Sequence, residues 1–432
     1  MKPLPKRNDT ASVIGMGRSG WALVSHLNEM GVRVYAFDDK PEEELGDLPA
    51  RLSALGVPLF TGGEGEARGR FVFRSPSVRP DAPRLCRAAL RGATVWGETE
   101  YFAALCPCPI YAVTGSDGKT TTATMMASLL SSTGRRVHLG GNIGRSLLPF
   151  LSDIRPNDAC VLELSSFQLM DFSVPLYGGV VTNLSPNHLN WHTDFAEYAA
   201  AKRRLVSLSR RVVLEDGLFP DASALRFSTK GEGDMTVKDG YITAFGVPLF
   251  AASRLRLKGE HNLKNLLAAT AALADVVTPH ALLSFAEQFA GVPHRMERVG
   301  EKRGVVFLNS SIDTTPTRTA ATMAALEGAR GLLLLGGKGK HLPLAPLEGA
   351  ARRAKKVYLF GETEKENVAF LKAHGLPHLA CGSMEAALLA AYTEAEAGDT
   401  VLLSPAATAY DAFRDFEERG EVFRRLVAEL PE

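Results

Sequence analysis

Short apolar, β-branched runs recur along the chain, and each is followed by a longer stretch whose apolar residues repeat with helical spacing. Residues 12–14, 32–37 and 71–73 form one set of runs, 110–113, 159–162 and 180–182 a second, and 305–308, 332–335, 357–360 and 401–403 a third. Apolar strands alternating with amphipathic helices are the pattern of parallel sheets covered on both faces. The chain is therefore expected to be α/β, with three domains in series. One break falls near Gly97, where a strand ending at Val95 and Trp96 meets a helical pattern opening at Glu98. The other falls between Arg295 and Gly300, after Gly291-Val-Pro-His-Arg295 closes a helical segment, so the domains span residues 1–96, 97–297 and 298–432. Between residues 211 and 257 the runs shorten and Gly and Asp punctuate them, which predicts small antiparallel strands inside the middle domain.

Length and composition support this division. The chain has 432 residues, and roughly 150 residues per domain gives about three. With 45% hydrophobic and 22% charged residues, it has enough apolar side chains for packed cores. Its longest apolar runs, 178–184 and 331–335, are strand-length and far short of the ~20 residues that cross a bilayer. The 49 basic and 48 acidic residues leave a charge of +1, so no bulk field favours nucleic acid or a membrane surface. Any anionic ligand must be caught locally. Residues 1–10 are charged and proline-bearing with no apolar stretch after them, which predicts no secretory signal and a cytoplasmic location. The five cysteines, Cys86, Cys106, Cys108, Cys160 and Cys381, are odd in number and lack C-x-x-C pairs. This argues against a disulfide framework or structural zinc, and Cys106-Pro107-Cys108 reads as incidental.

Two glycine loops carry candidate chemistry. Gly15-Met16-Gly17-Arg18-Ser19-Gly20 fits G-x-G-x-x-G after a strand and before a helix opening near Trp21, with Asp38 and Asp39 ending the next strand. Glycines let backbone approach a pyrophosphate, and a carboxylate at that remove can accept from a ribose hydroxyl. A nicotinamide cofactor, or a tight turn with no ligand, fits the same motif. The second loop, Thr114-Gly115-Ser116-Asp117-Gly118-Lys119-Thr120-Thr121, lies between a strand and a helix expected from about Thr122, and it ends as a P-loop does. Its N–H groups would wrap a nucleotide phosphate, Lys119 would reach the β- and γ-phosphates, and the Thr120 hydroxyl would bind Mg²⁺. The leading glycine of the usual motif is Val113 here, with Gly115 displaced by two positions. Two phosphate loops on one chain favour an ATP-driven step over simple hydride transfer.

Glu163 ends the apolar run 159–162, where a parallel sheet places ligands, so it is either a partner of Thr120 on Mg²⁺ or a solvated strand-end charge. His188 follows the run 180–182 and is either a metal or phosphate ligand or a loop histidine packed on Trp191. Lys202, within Tyr198-Ala-Ala-Ala-Lys202-Arg-Arg-Leu205, reads by itself as a surface lysine.

Taken in order, these motifs resemble the Mur ligases. They include the opening glycine loop, Ser75-Pro-Ser-Val78, Gly97-Glu-Thr-Glu100, the Lys119 loop, Gly141-Asn142 and Glu163-Leu-Ser165-Ser-Phe-Gln168. They continue with Lys258-Gly-Glu-His-Asn262-Leu-Lys-Asn265, Pro293-His-Arg295, Leu335-Gly-Gly-Lys-Gly-Lys340 and the segment from Ser404 to Phe416. The first and last of them point to the D-glutamate-adding branch. The resemblance implies a Rossmann-like N-terminal domain for a UDP substrate, a central P-loop ATPase-type domain, and a Rossmann-like C-terminal domain closing over both ligands. It implies a cytoplasmic ligase, expected as a monomer, that phosphorylates the carboxylate of UDP-N-acetylmuramoyl-L-alanine with ATP and couples it to D-glutamate.

By position, Gly15, Gly17, Asp38, Ser75, Ser165 and Gln168 are then expected on the UDP substrate. Gly115, Ser116, Asp117, Gly118, Lys119, Thr120, Thr121, Asn262, Asn265 and Arg295 are expected on ATP, and Thr314, Lys340 and Phe416 on D-glutamate. Lys119, Asn142, His188 and Lys202 would form the catalytic set. Thr120, Glu163, His188 and Lys202 would hold two Mg²⁺ ions, Lys202 as a carbamate. Five positions depart from the family's usual pattern: Asp117 for Asn, Asn187 for Asp, Ser310 for Asp, Ile312 for Lys and Ala409 for Ser. A hydroxyl lost at Ala409 is expected to be replaced by Thr408 or Tyr410. The competing readings are another carboxylate-amine ligase of the family and a nucleotide-binding protein without ligase activity.

Overall fold

The computed structural model describes residues 2–63, 65–143, 146–230, 232–326, 330–340 and 342–432. It divides into two compact units, Met1–Phe289 and Ala290–Glu432. The first unit holds two sheets. In the N-terminal one, five parallel strands lie in the order Leu59–Phe60, Arg33–Phe37, Thr10–Ile14, Phe71–Arg74, Thr94–Gly97. Strand order reverses at Thr10–Ile14. Ile14 pairs with Phe37 on one side and Arg74 on the other, so Gly15, Asp38 and Ser75 leave three adjacent strands at one edge.

The second sheet has nine strands, in the order Val247–Ala251, Tyr241–Ala244, Met235–Lys238, Leu225–Ser228, Ser209–Glu215, Leu176–Val181, Ile110–Thr114, Ala159–Glu163, Val137–Gly141. All five residues of Ile110–Thr114 are buried, as a strand covered on both faces must be. Alternate residues serve different cores. Tyr111, Val113, Val161 and Val180 pack with Met125, Met126 and Leu129 of helix Lys119–Ser131 and Leu266 and Leu267 of helix Glu260–Ala272. Ala112, Leu162 and Val181 face the other way and share a core with Leu23, Trp96, Tyr101 and Phe172. That shared core is why the first two sheets form one unit.

The antiparallel strands expected between residues 211 and 257 make up only the sheet's outer edge. Met235–Lys238, Tyr241–Ala244 and Val247–Ala251 are antiparallel, but Ser209–Glu215, Leu225–Ser228 and Met235–Lys238 continue the parallel sheet. Short alternating runs do not show strand direction, whereas the turns do. Asp239-Gly240 and Phe245-Gly246 all have positive φ, the backbone that a two-residue hairpin requires. The first helix begins at Arg18 rather than Trp21, and the phosphate-loop helix at Lys119 rather than Thr122.

The second unit is a six-stranded sheet in the order Glu297–Lys302, Val305–Asn309, Asp399–Leu403, Arg330–Gly336, Ala354–Phe360, His378–Ala380. Its pairings are parallel except the first. Phe307, Leu334, Tyr358 and Leu403 pack against Phe423 and Val427 of helix Phe416–Glu429 on one face, and Leu333, Leu359 and Leu402 against Leu347 and Leu371 on the other. Among the described residues, no helix is long and apolar enough to cross a membrane.

Arg74 links the two sheets of the first unit. Its guanidinium, 1% exposed, pairs with both oxygens of Asp171 and donates to the carbonyls of Val78 and Phe167 at 3.0 Å. Arg74→Met should cost about 3 kcal/mol, because the carboxylate and two carbonyls lose their donor together. Urea unfolding measures this, and a loss within error would show that the link is not structural.

Candidate active site

The strand Ile110–Thr114 lies between Ala159–Glu163 and Leu176–Val181, with Val113 opposite Glu163 and Thr114 opposite Val181. This register brings the phosphate loop, Glu163 and Thr182 to one edge. Gly115 (φ 148°) and Gly118 (φ 76°) have backbone that side chains disfavour. A Cβ on Gly115 would overlap the Thr182 hydroxyl, and one on Gly118 would overlap the Asn265 carboxamide. Thr182 Oγ1 donates to the Asp117 carbonyl at 2.5 Å, and the Asp117 N–H donates to Asn183 Oδ1 at 2.9 Å. The Asp117 side chain itself is exposed. Ser116 Oγ donates to the Ser185 carbonyl at 2.8 Å and lies 2.8 Å from the Tyr198 hydroxyl. Asn265 also accepts from Thr122 at 3.2 Å, and Asn262 donates to the Lys258 carbonyl at 2.7 Å. Both asparagines thus lie buried on helix Glu260–Ala272, where Asn265 abuts the loop.

Lys119 folds back so that its ammonium donates to the carbonyls of Gly115 and Ser116 at 2.9 and 2.8 Å. Thr120 Oγ1 donates to Glu163 Oε2 at 2.7 Å, while Asn142 Nδ2 donates to Glu163 Oε1 at 2.8 Å. Thr120, Glu163 and Asn142 are therefore one constellation of oxygen and amide groups at the start of the loop helix, which Thr121 continues.

Lys202 is 1% exposed, so the surface placement suggested by its immediate neighbours is wrong. Helix Phe195–Leu208 turns Tyr198, Ala201, Lys202 and Leu205 inward. The Lys202 amine donates to the Gly115 carbonyl at 2.7 Å and to Thr114 Oγ1 at 3.3 Å, and it sits 4.6 Å from the Tyr198 ring centre. Burial first, then repulsion from Lys119, depresses its pKa to about 7, against the pull of Glu163 and Asp117. His188 is exposed, with φ 55°, and its ring lies edge-on to Phe167 at 5.0 Å rather than on Trp191. Partial burial, Lys119 and Lys202 hold its pKa below the usual histidine value, which favours the neutral, metal-binding imidazole.

At the edge of the N-terminal sheet, a Cβ on Gly15 (φ 85°) would come within 2.6 Å of Ser75 Cβ, whereas Gly17 is open. Asp38 accepts from the N–H groups of Met16 and Lys40 at 2.7 and 3.0 Å, so it shapes the glycine turn. Ser165 and Gln168 cap one another: the Ser165 N–H donates to Gln168 Oε1 at 2.9 Å, and Gln168 Nε2 donates to Thr99 Oγ1 at 2.8 Å. Buried His192 bridges Glu197 and Ser166 at 2.9 Å each, and Glu197 also binds Arg79. No motif pointed to this network.

In the second unit, Lys340 Nζ lies 3.1 Å from Thr314 Oγ1 and lines a cleft with Pro316, Thr363, Asn367 and Ala406. Phe416 opens its helix and its carbonyl accepts from Ser311 Oγ at 2.7 Å, while Arg295 is exposed. Ser310 is fully buried and accepts from the Met296 N–H at 3.3 Å. Ala409 is buried. Neither expected substitute provides an inward hydroxyl there, because Thr408 spends its own on the Lys338 carbonyl at 2.9 Å and Tyr410 is 56% exposed. Arg419, which sequence reasoning passed over, is fully buried and donates to Ser311 Oγ and to the carbonyls of Ser311, Ala407 and Thr408 at 2.9–3.1 Å.

Fold and loop define a parallel-sheet protein with a P-loop-like strand-to-helix turn. The family model for the Mur ligase middle domain matches residues 113–273, and that for the Mur ligase glutamate ligase domain matches residues 294–407. A protein named UDP-N-acetylmuramoylalanine--D-glutamate ligase from Clostridium perfringens is 39% identical, the match covering 98% of this chain and 97% of that one. One of the same name from Clostridium tetani is 38% identical over the same shares. In fold, the chain is similar to UDP-N-acetylmuramate-alanine ligase from Thermotoga maritima, with TM-score 0.57, 19% identity and 98% and 100% of the two chains covered. It is also similar to the Thermotoga maritima MurF ligase in complex with ADP, with TM-score 0.51, 18% identity and 98% and 96% covered. The chain belongs to the Mur ligase family.

The lowered pKa of Lys202 predicts a pH dependence of stability. Between about 7 and 10.5 the unfolded lysine holds a proton that the folded one has lost, so raising the pH favours the folded state across that window. The urea midpoint of wild type should therefore rise from pH 7 to pH 9 relative to Lys202→Met. Parallel curves would place the titration elsewhere.

Proposed function

We infer that this protein joins D-glutamate to the carboxylate of UDP-N-acetylmuramoyl-L-alanine at the expense of ATP, in peptidoglycan precursor synthesis in the cytoplasm. The observation that supports this best is the end-to-end likeness, at 39% identity, to a ligase named for that reaction. The likeness to a ligase holding ADP and the glycine loop agree with a nucleotide site. Residues 1–96 would take the UDP substrate through Gly15, Gly17 and Ser75, residues 97–297 would take ATP, and residues 298–432 would hold D-glutamate through Thr314, Lys340 and Phe416. We take the working form to be a monomer.

The donor set fits Mg²⁺: the Thr120 hydroxyl and Glu163 carboxylate are hard oxygen ligands 2.7 Å apart beside the loop. When bound, the ion would neutralise phosphate charge. Lys119 would leave the carbonyls of Gly115 and Ser116 to follow the phosphoryl group as charge builds on it, and N–H groups from Gly118 to Thr121 would hold the phosphates at the helix start. An amine titrating near 7 is partly neutral at cellular pH, so Lys202 can add CO₂, lose a proton and become a carbamate. That change would replace a cation facing Lys119 with an anion fit to hold a second ion with His188. Lys340, set against Thr314, would pair with a carboxylate of D-glutamate.

The test is phosphate release from ATP and Mg²⁺ with UDP-N-acetylmuramoyl-L-alanine, with D-glutamate, L-glutamate, L-alanine or a diamino acid supplied in turn. Release that requires D-glutamate is expected. Release with a different amino acid would indicate another ligase of the family, and ATP binding without release would indicate a protein that has lost the activity. Lys119→Ala should lower kcat by about 10²-fold or more. Lys340→Ala should raise KM for D-glutamate roughly tenfold while leaving that for ATP near normal, and equal effects would assign Lys340 to the nucleotide.

A further inference from the structure

The strands that carry the phosphate loop and Glu163 at one end carry sulfur at the other. Cys106 ends the helix Glu98–Leu105, Cys108 lies two residues before the strand Ile110–Thr114, and Cys160 is the second residue of Ala159–Glu163, paired with Ile110. Their Sγ atoms form a closed triangle, with Cys106 3.6 Å from Cys108 and Cys160 3.5 Å from each of the others. Cys108 and Cys160 are buried and Cys106 is half-buried. Among the described residues, this is the one group of three potential ligands from His, Cys, Asp and Glu whose donor atoms meet at metal-binding separation. The Cys-Pro-Cys segment thus gains a third sulfur from 52 residues further along the chain.

We propose that Cys106, Cys108 and Cys160 form a binding site for a thiophilic divalent cation of the Zn²⁺ class, held by three thiolates. Three sulfurs bound at ~2.3 Å around a tetrahedral ion lie about 3.8 Å apart, so the triangle needs to open by only a few tenths of an ångström. Thiolates select soft or borderline ions over the Mg²⁺ that suits oxygen ligands, so the site would not compete with the phosphate loop for its metal. The Cys108 and Cys160 thiols both hydrogen-bond to the Cys106 sulfur and hold its pKa below the usual thiol range, while those same contacts and then burial push theirs up. His138 lies opposite Cys160 on the next strand, with its ring bound to Asp158 at 2.8 Å. Binding the ion would release the remaining thiol protons to solvent, so affinity falls as pH falls. At ~3.3 Å per residue, Cys160 lies about 10 Å along its strand from Glu163. The ion would therefore tie a helix end to two central strands and take no part in phosphoryl transfer.

The experiment uses the full chain, reduced and stripped with chelator, and Cd²⁺ as the probe. One equivalent per chain should produce a thiolate-to-metal charge-transfer band that Zn²⁺ displaces and Mg²⁺ does not. Cys160→Ser should weaken Cd²⁺ binding at least tenfold, and Cys86→Ser and Cys381→Ser should leave it unchanged. Cys106→Ser, at the half-buried corner, should weaken it as much without unsettling the fold. As a second measure, Zn²⁺ should slow alkylation of Cys106 in the wild type at least tenfold and leave exposed Cys86 unaffected. No band, an unchanged affinity in Cys106→Ser, or alkylation of Cys106 indifferent to Zn²⁺ would overturn the site.

Discussion

The turn from Thr114 to Lys119 is the constraint on which the rest of the candidate site depends. A fully buried central strand must become a helix within four residues, and the backbone at Gly115 and Gly118 leaves no room for side chains because other elements already occupy it. Thr182 fills the space beside Gly115 and Asn265 the space beside Gly118. Thr182 is available only because Leu176–Val181 is the neighbouring strand in that register, and Asn265 only because helix Glu260–Ala272 packs on the loop helix. The sheet order and the helix pairing are thus conditions for the loop. Its shape is held by the polar ends of side chains from three separate segments.

That turn also sets the electrostatics. The Gly115 carbonyl accepts from both Lys119 and Lys202, so two amines share one oxygen. In water their repulsion would be small, but Lys202 is buried and cannot be screened. It therefore yields its proton more readily than an ordinary lysine. Asp117 fits the same arrangement. Its N–H and carbonyl are held by Asn183 and Thr182 while its carboxylate is exposed, so the charge that a family asparagine would lack is largely spent on solvent.

What could be read in the sequence follows from distance along the chain. The glycine loops, Asp38 and the Thr120–Glu163 relation rest on local spacing plus the rule that parallel strands present ligands at their C-terminal ends, and the structure brings these residues to the expected sheet edges. Lys202 was misleading because its neighbours, Ala199 to Arg204, are small or charged. The signal lay instead in the four-residue spacing from Tyr198, which puts both on the buried face. Gln168, expected on the UDP substrate from the resemblance, also holds local structure through a capping box and Thr99, contacts that no motif showed. The sulfur triangle and the Arg419 contacts join segments 52 and 108 residues apart, a separation that no spacing rule spans without knowledge of strand order.

Arg419 shows why departures from a family's pattern need not loosen a site. Its guanidinium is fully buried, and burial lowers its pKa to about 10 despite support from Asp411 and Asp313. It instead gathers the carbonyls of Ala407 and Thr408, just before Ala409, with the carbonyl and hydroxyl of Ser311. Lys338 and Thr408 add a two-way backbone bridge at 2.9 Å. The segment that carries Ala409 is therefore held through its main chain, where the identity of residue 409 has no say. Replacing a serine there removes one hydroxyl and leaves the backbone in place. Under the proposed function the effect of that residue would fall on affinity for the amino acid, whereas Arg419 holds the segment's shape.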